Sequence, residues 1–232
     1  NPANAYVREL VQSGALGKIM RFTGTYDQDQ LLDESLPITW RHINKLAGCG
    51  ALGDLGSHLL SISQFIMGDI TKVNAVATTV FPKRPKAAGS TEMADVENED
   101  IMTFMAEYAN GAIGQIACSR VATGRKNYLT YEIQGTKGSV RYDLERMGEV
   151  QVYFQSDNER DRGFRTVLLN PLMKGYSAFQ PAAGISIAYN DMKILEVHAL
   201  FDAITNGADY VTDFEFGYKI DRTVAAVIES SK

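Results

Sequence analysis

Hydrophobic and polar positions define the first part of the chain as a helix, a strand and a second helix. Residues 1 to about 13 have the apolar spacing of a short helix, and residues 18–27 alternate as a β-strand does. Residues 28–47 are irregular. An apolar helical rhythm then runs from about Gly50 to Met67, where Gly68 ends it.

The middle of the chain consists of short runs rich in β-branched and aromatic residues, which predict successive strands. Asn110-Gly111 predicts a hairpin with a type I′ turn, because both central residues of that turn need positive φ. Residues 82–99 are polar and contain proline and glycine, so they predict a long loop. Two helices are predicted at the end, over about 190–206 and from 214 onward. The predicted strands are VNAVATTVF, IMTFMAEY, AIGQIACSRV, YLTYEI, SVRYD, VQVYF and FRTVLL.

This order, a run of strands flanked by helices, favours an α+β fold with two layers. We expect a large, mostly antiparallel sheet with helices on one face, formed by residues 1–232 as a single domain. A sheet of this kind leaves its other face available, so a homodimer or homotetramer through the open sheet face is expected.

Composition and charge limit which kinds of partner the chain is expected to bind and which cellular compartment it is expected to occupy. The chain is 45% hydrophobic and 22% charged, which is ordinary for a globular protein. A net charge of −5 argues against nucleic acid as a partner. No apolar run approaches the length of about 18 residues that a membrane span needs, and no signal peptide is visible, so a cytoplasmic protein is expected. Cys49 and Cys118 are predicted to be reduced, buried thiols, with a single disulfide as the alternative.

A glycine-rich stretch, Gly48 to Gly53, satisfies the pattern G-x-G-x-x-G of dinucleotide-binding turns. Such a turn needs a strand directly before it and an acidic residue at the end of the next strand. The preceding residues TWRHINKLA do not alternate, and Asp69 precedes the next predicted strand. Both tests fail, and we expect these glycines to bind no cofactor.

Asp54 and His58 are the principal catalytic candidates. They are four residues apart, so on a helix they lie on the same side, at the border of the apolar stripe. A carboxylate there could orient the imidazole and raise its proton affinity for general-base work. The alternative is an acidic helix start beside a partly buried structural histidine.

Further candidates lie outside this helix. Gln28 follows the first strand and could face a pocket. Trp40 could pack on the apolar side of a sugar, and Arg41 could donate to its hydroxyls. Tyr189 precedes a closing helix and could donate to substrate. Packing or solvated roles are the alternatives for these residues. His42 is interpreted as a surface residue or secondary contact, and His198 as structural.

Several segments together resemble one known family. They are SGALGKI, then WR, then AGCGALGDLGSHLL, then ANGAIG and IQGTKGSV. The chain resembles, over nearly its whole length, the C-terminal domain of the Gfo/Idh/MocA oxidoreductases, whose fold is like that of the dihydrodipicolinate reductase C-terminal domain. The segments RVATGRKN, GTKGSVRYD and ERM are similar to the branch with levoglucosan-dehydrogenase-like members.

The resemblance implies an NAD- or NADP-dependent dehydrogenase of sugars, polyols or inositols. The family's aspartate and histidine fall on Asp54 and His58. Cys49 stands where glycine, serine or alanine is more usual, and it keeps the side chain small. In the family an N-terminal Rossmann domain binds the nicotinamide cofactor and supplies a lysine from a Glu-Lys-Pro motif. Neither feature occurs here, so the resemblance implies a substrate domain that alone binds no cofactor and is inactive.

Two other functions stay open. The fragment could act only as a non-catalytic dimerisation or sugar-binding module. It could also be part of a metal-dependent lyase or isomerase that uses Asp54, His58 and a further carboxylate. No metal is expected, because zinc sites collect three or more histidine, cysteine or acidic ligands, and only three dispersed histidines are present.

Overall fold

The computed structural model describes all 232 residues. They form five α-helices and ten strands, which are joined by loops and by short 3₁₀- or π-helical turns. The helices are α1 (Pro2–Gln12), α2 (Asn44–Ala47), α3 (Ser57–Met67), α4 (Tyr189–Asn206) and α5 (Phe214–Ser230). The strands are β1 (Ile19–Asp27), β2 (Ile70–Thr78), β3 (Lys83–Pro85), β4 (Met93–Asp95), β5 (Ile101–Tyr108), β6 (Ile113–Ser119), β7 (Tyr128–Gly135), β8 (Gly138–Asp143), β9 (Glu149–Phe154) and β10 (Arg165–Leu168).

Eight of the strands form one sheet in the order β10-β9-β8-β7-β1-β6-β5-β2. Neighbouring strands are antiparallel except β1 and β6, which run parallel. Parallel neighbours need a long connection, and the chain between these two includes α2, α3 and the four strands β2 to β5. The expected α+β class with a large, mostly antiparallel sheet is confirmed.

One face of the sheet carries the hydrophobic core. Phe22 of β1 stacks on Tyr131 of β7 with ring centroids 5.6 Å apart, and Phe104 and Ile116 are buried beside them. Alternation along each strand directs these side chains to one face. Helix α3 contacts β1, α1 and α5, and α5 contacts β2. The helices therefore cover this face and hold α3 against the central strand.

The opposite face, which we call the open face, is mostly polar. Its residues include Thr23, Thr103, Gln115, Thr130 and Glu132, which line a shallow groove. Exposed apolar side chains, among them Met105 of β5, lie among them. No element of this chain covers the open face.

Two local predictions are corrected. Residues 82–99 contain a small hairpin, in which β3 pairs with β4, instead of a long loop without strands. The hairpin between β5 and β6 is present, but its turn is not of type I′. Gly111 has a positive φ of 83° whereas Asn110 does not, since every positive-φ residue in the chain is a glycine.

None of the helices combines the length and apolarity needed to cross a bilayer.

Candidate active site

A π-helical turn, Leu52–Gly56, leads directly into α3 and carries the first candidate residue, Asp54. His58 is the second residue of α3. The Glu99 carboxylate accepts hydrogen bonds from the backbone N–H groups of Gly50 and Leu52, both at 2.9 Å. These are N–H groups that the start of a helix leaves without partners, so Glu99 fixes the start of this segment. π-Helical turns are frequent at functional sites.

The glycines of this stretch allow other atoms of the chain to approach the backbone closely. A Cβ atom on Gly50 would lie 2.0 Å from the Glu99 carbonyl oxygen, and one on Gly53 would lie 2.7 Å from the Cys49 sulfur. A Cβ on Gly56 would meet Leu52 at 2.9 Å. The space beside these glycines is therefore filled by the chain's own atoms.

We expect Gly50→Ala to destabilise the fold by about 2–3 kcal/mol, the cost of forcing extra atoms into a packed site. Urea denaturation would measure this as a lower transition midpoint. Gly163→Ala is the matched control, because a Cβ there has open space around it, and its effect should stay within about 0.5 kcal/mol. Unchanged stability of Gly50→Ala would contradict the close contact.

Asp54 pairs with Arg41 and not with His58. The Arg41 Nε donates to the Asp54 carboxylate at 3.3 Å, and the Asp54 side chain keeps 30% of its surface exposed. The Arg41 guanidinium lies 4.6 Å from the centre of the exposed Trp40 ring. No hydrogen bond joins Asp54 to His58. The carboxylate is thus held by an arginine and remains accessible to a ligand.

His58 is exposed and lies against Tyr26, the second-last residue of β1. The two rings meet edge to face, with centroids 6.1 Å apart. The Tyr26 hydroxyl donates to the Asn127 side-chain oxygen at 2.6 Å. The Gln28 amide donates to the same oxygen at 3.0 Å and to the Tyr26 hydroxyl at 3.2 Å. The tyrosine that contacts the imidazole therefore carries its hydroxyl within a small cluster of amide groups.

The Tyr26 hydroxyl stays protonated and uncharged at neutral pH, because its pKa is raised. Burial raises the pKa of Tyr26, against a lowering by its hydrogen bond with Gln28. Tyr189 and Asp54 also raise this pKa, so both lie near enough to act on Tyr26 electrostatically. Tyr189 is the first residue of α4 and is itself exposed. The contact with Tyr26 thus brings His58 of α3 beside the end of β1, and Tyr189 acts on the same tyrosine electrostatically.

Behind Arg41 lies a buried polar cluster. Arg120 and Asp100 are fully buried and form an ion pair at 2.8 Å. The Arg41 carbonyl accepts hydrogen bonds from the Asn98 side chain at 2.9 Å and from Arg120 at 3.3 Å. His42 is part of this region and is fully buried, so its interpretation as a surface residue is wrong. The cluster fixes the short turn that presents Trp40 and Arg41.

Both cysteines are unpaired thiols, as predicted, and the alternative of a disulfide is wrong. Cys118 is buried as predicted, whereas Cys49 is only half-buried. Burial, and next the negative charge of Glu99, raise the pKa of Cys49 to about 11. The thiol therefore stays protonated at neutral pH and is a poor nucleophile. Cys49 serves here as a small packing residue against Gly53.

Two residues of the site were not predicted, Tyr26 and Asn127. Tyr26 occupies a core-facing position of a predicted strand, so its hydroxyl at the strand end was overlooked. Asn127 lies in the segment RVATGRKN, whose only signal was its resemblance to one branch of the family. His198, predicted to be structural, is instead exposed on α4.

The side chains gathered near His58 indicate the kind of ligand that the site suits. No three side chains of His, Cys, Asp or Glu are grouped so that they could hold a metal ion. The glycine stretch, the one dinucleotide-like motif that we identified, is occupied by Glu99 and Cys49. The residues near His58 instead offer hydroxyl, amide, carboxylate and aromatic groups, which suit a polyhydroxylated ligand.

Comparison with known proteins shows which family and which relatives the chain is similar to. The sequence profile described as the GFO/IDH/MocA C-terminal domain matches residues 4–141. Levoglucosan dehydrogenase of Pseudarthrobacter phenanthrenivorans is 37% identical over 241 residues, which cover 99% of this chain and 62% of that protein.

Solved structures agree with this placement. A levoglucosan dehydrogenase in complex with NADH and L-sorbose matches with a TM-score of 0.95 at 38% identity, covering 99% of this chain and 61% of the other. An NAD-binding oxidoreductase from Klebsiella pneumoniae matches with a TM-score of 0.95 at 37% identity, covering 100% and 62%. The chain thus spans about three fifths of the length of these relatives.

Proposed function

The chain belongs to the GFO/IDH/MocA family, whose C-terminal domain it matches, and we propose that it is the substrate-binding and catalytic half of an NAD(P)-dependent sugar or polyol dehydrogenase. The observation that carries the proposal is that the exposed His58 lies against Tyr26 and its hydrogen-bonded neighbours, four residues along the chain from the accessible Asp54 carboxylate. Relatives named as sugar dehydrogenases support it.

We assign to His58 the transfer of the hydroxyl proton in this reaction. Oxidation of a secondary alcohol removes a proton from oxygen and a hydride from the adjacent carbon. The exposed imidazole next to Tyr26 can accept the hydroxyl proton as general base, and can return it in the reverse reaction. A nicotinamide supplies the hydride acceptor when it is bound.

The other residues position the sugar. Asp54, fixed by Arg41, accepts hydrogen bonds from substrate hydroxyls. The exposed Trp40 ring offers a flat apolar face for the C–H side of a sugar ring. Gln28 and Tyr189 are proposed to donate to further hydroxyls, with Gln28 held by Tyr26 and Asn127.

We further propose that residues 1–232 form one substrate domain and that a separate part of a longer protein, here called the full-length protein, holds NAD or NADP. The chain alone is then inactive, and acts at most as a sugar-binding or dimerisation module. The open face is proposed as the contact of a homodimer or homotetramer, because exposed Met105 lies there among polar residues.

The test is a screen of sugars and polyols with the full-length protein and either NAD or NADP. Levoglucosan and L-sorbose belong in the panel, since similar structures contain them, and inositols cover the remaining alternative. Formation of reduced nicotinamide with at least one sugar or polyol is expected. Failure with every compound and both nucleotides would refute the proposal. The 232-residue chain, run in parallel, should show no turnover.

A further inference from the structure

Asn127 contacts no substrate in the proposed mechanism, yet its side chain binds two other members of the site. The Tyr26 hydroxyl and the Gln28 amide both donate to its Oδ1, at 2.6 and 3.0 Å. The ring of the same tyrosine contacts the His58 imidazole, with centroids 6.1 Å apart. A single residue, Tyr26, therefore connects Asn127 to the imidazole.

Contacts with two distant segments hold Asn127 in place. Its backbone N–H donates to the Glu145 carboxylate at 2.9 Å. This bond joins the segment RVATGRKN, which ends at Asn127, to the segment ERM, which begins at Glu145. Asp29 holds the same loop, because its N–H donates to the Arg125 carbonyl at 2.8 Å and its carboxylate pairs with Lys126 at 2.6 Å. The Asn127 side chain is thus presented from an anchored loop.

The distances determine the direction of each hydrogen bond around Asn127. The 2.6 Å between the Tyr26 hydroxyl and the Asn127 side chain lies in the range of O–H···O bonds and below that of N–H···O bonds, so Oδ1 faces the hydroxyl. Tyr26 has a single hydroxyl hydrogen, which goes to this oxygen. The hydroxyl is then left to accept from Gln28, whose Nε2 lies 3.2 Å away. Asn127 therefore determines that Gln28 turns its nitrogen, and not its oxygen, toward Tyr26.

This arrangement decides what Gln28 offers to a ligand. The Tyr26 oxygen and Asn127 Oδ1 are so close together that one N–H of Gln28 points between them and is shared. The second N–H and Oε1 of this half-buried side chain have no partner in the chain. Without the acceptor on Asn127, the Tyr26 hydroxyl is free to donate to Gln28 Oε1. The amide would then turn over and present only N–H groups.

We propose that Asn127 is a positioning residue of the substrate site, which sets the end of the Gln28 amide that faces a bound sugar. In this orientation Gln28 presents a hydrogen-bond donor beside an acceptor, and a sugar hydroxyl, which both donates and accepts, matches that pair. The inference rests on the proposed dehydrogenase function and deepens it.

Steady-state kinetics of the full-length protein, with a sugar that it oxidises, test the positioning. Asn127→Leu removes the acceptor at similar side-chain size. We expect KM to rise about 3- to 10-fold, the scale of one neutral hydrogen bond, with a smaller effect on kcat. Asn127→Asp keeps an acceptor for Tyr26 and Gln28, so its KM should lie within about 2-fold of the wild-type value.

Asn158→Leu is the matched control for Asn127→Leu. Asn158 is exposed between β9 and β10, and its side chain accepts only from the Arg160 N–H of its own turn, at 3.1 Å. The same chemical change at this position should leave KM and kcat as in the wild type. Failure of Asn127→Asp to restore KM would overturn the proposal.

A double-variant cycle separates positioning from direct contact with the sugar. If Asn127 acts through Gln28, then Asn127→Leu adds little to Gln28→Ala. The kcat/KM of the double variant should stay within about 2-fold of that of Gln28→Ala alone. Additive losses would overturn the proposal, because Asn127 would then act on the sugar by itself.

NMR of the side-chain amides in the full-length protein tests the positioning without turnover. The Gln28 NH₂ resonances should shift in Asn127→Leu, because Nε2 loses its partners, and should return toward their wild-type positions in Asn127→Asp. Resonances that do not respond to Asn127→Leu would overturn the proposal. A wild-type protein that oxidises no sugar would refute the dehydrogenase function, and the Gln28 resonances would still decide whether Asn127 orients the amide.

Discussion

The His58→Ala variant of the full-length protein is expected to oxidise its sugar with a kcat about 100-fold or more below that of the wild type, the scale of general acid–base catalysis. His58 is the accessible imidazole of the site, and its ring lies against that of Tyr26. Tyr26 cannot replace it as a base, because burial raises the pKa of the hydroxyl and keeps it protonated. Steady-state kinetics with saturating sugar and nucleotide measure the effect.

Ser57→Ala is the matched control for His58→Ala. Ser57 precedes His58 on the same helix, and its hydroxyl bonds only to the Gly53 carbonyl at 2.7 Å. This variant should keep a kcat close to that of the wild type. Added imidazole should restore part of the activity of His58→Ala if the lost group is a proton acceptor. A kcat near the wild-type value in His58→Ala would remove His58 from the mechanism.

The large elements of the fold could be predicted from the sequence because their signals are local. Alternation specifies the strands, and α3 follows from the spacing of Leu59, Ile62 and Ile66. The turn at Asn110-Gly111 was identified as a hairpin but assigned the wrong type, because the same dipeptide fits turns in which only glycine has positive φ. The small β3–β4 hairpin was missed, since polar strands of three residues carry no periodicity.

The candidate site was predictable only in part, because its residues meet through tertiary contacts. Asp54 and His58 share one helical segment, so their spacing was informative. Their neighbours come from distant parts of the chain. Asn127 reaches Tyr26 across 101 positions, and Glu99 reaches the helix start across 49. The sequence predicts only a polar loop over residues 82–99, yet Glu99 in it binds backbone N–H groups and the adjoining Asp100 is fully buried against Arg120. No local pattern separates an acid that anchors backbone from one that faces water.

Asp54→Asn distinguishes the two roles that the sequence left open for this carboxylate, orienting His58 or binding substrate hydroxyls. Asp54 makes no hydrogen bond to His58 and is held by Arg41 at 3.3 Å, which favours substrate binding. A hydrogen bond to a charged group contributes about 1.5–3 kcal/mol, so we expect kcat/KM to fall about 10- to 100-fold. The fall should come mainly from a higher KM, because the bond is made before and during the reaction alike.

Asp95→Asn is the control for a lost surface carboxylate, since Asp95 is 80% exposed on the β3–β4 hairpin and should leave both constants unchanged. The opposite distribution of the effect between kcat and KM would contradict the proposed role of Asp54 in substrate binding. If Asp54→Asn lowered kcat by the same factor and left KM unaltered, the carboxylate would act through His58 in the transition state. The Arg41 pair would then describe only the resting arrangement, and substrate recognition would depend on Trp40, Gln28 and Tyr189 instead.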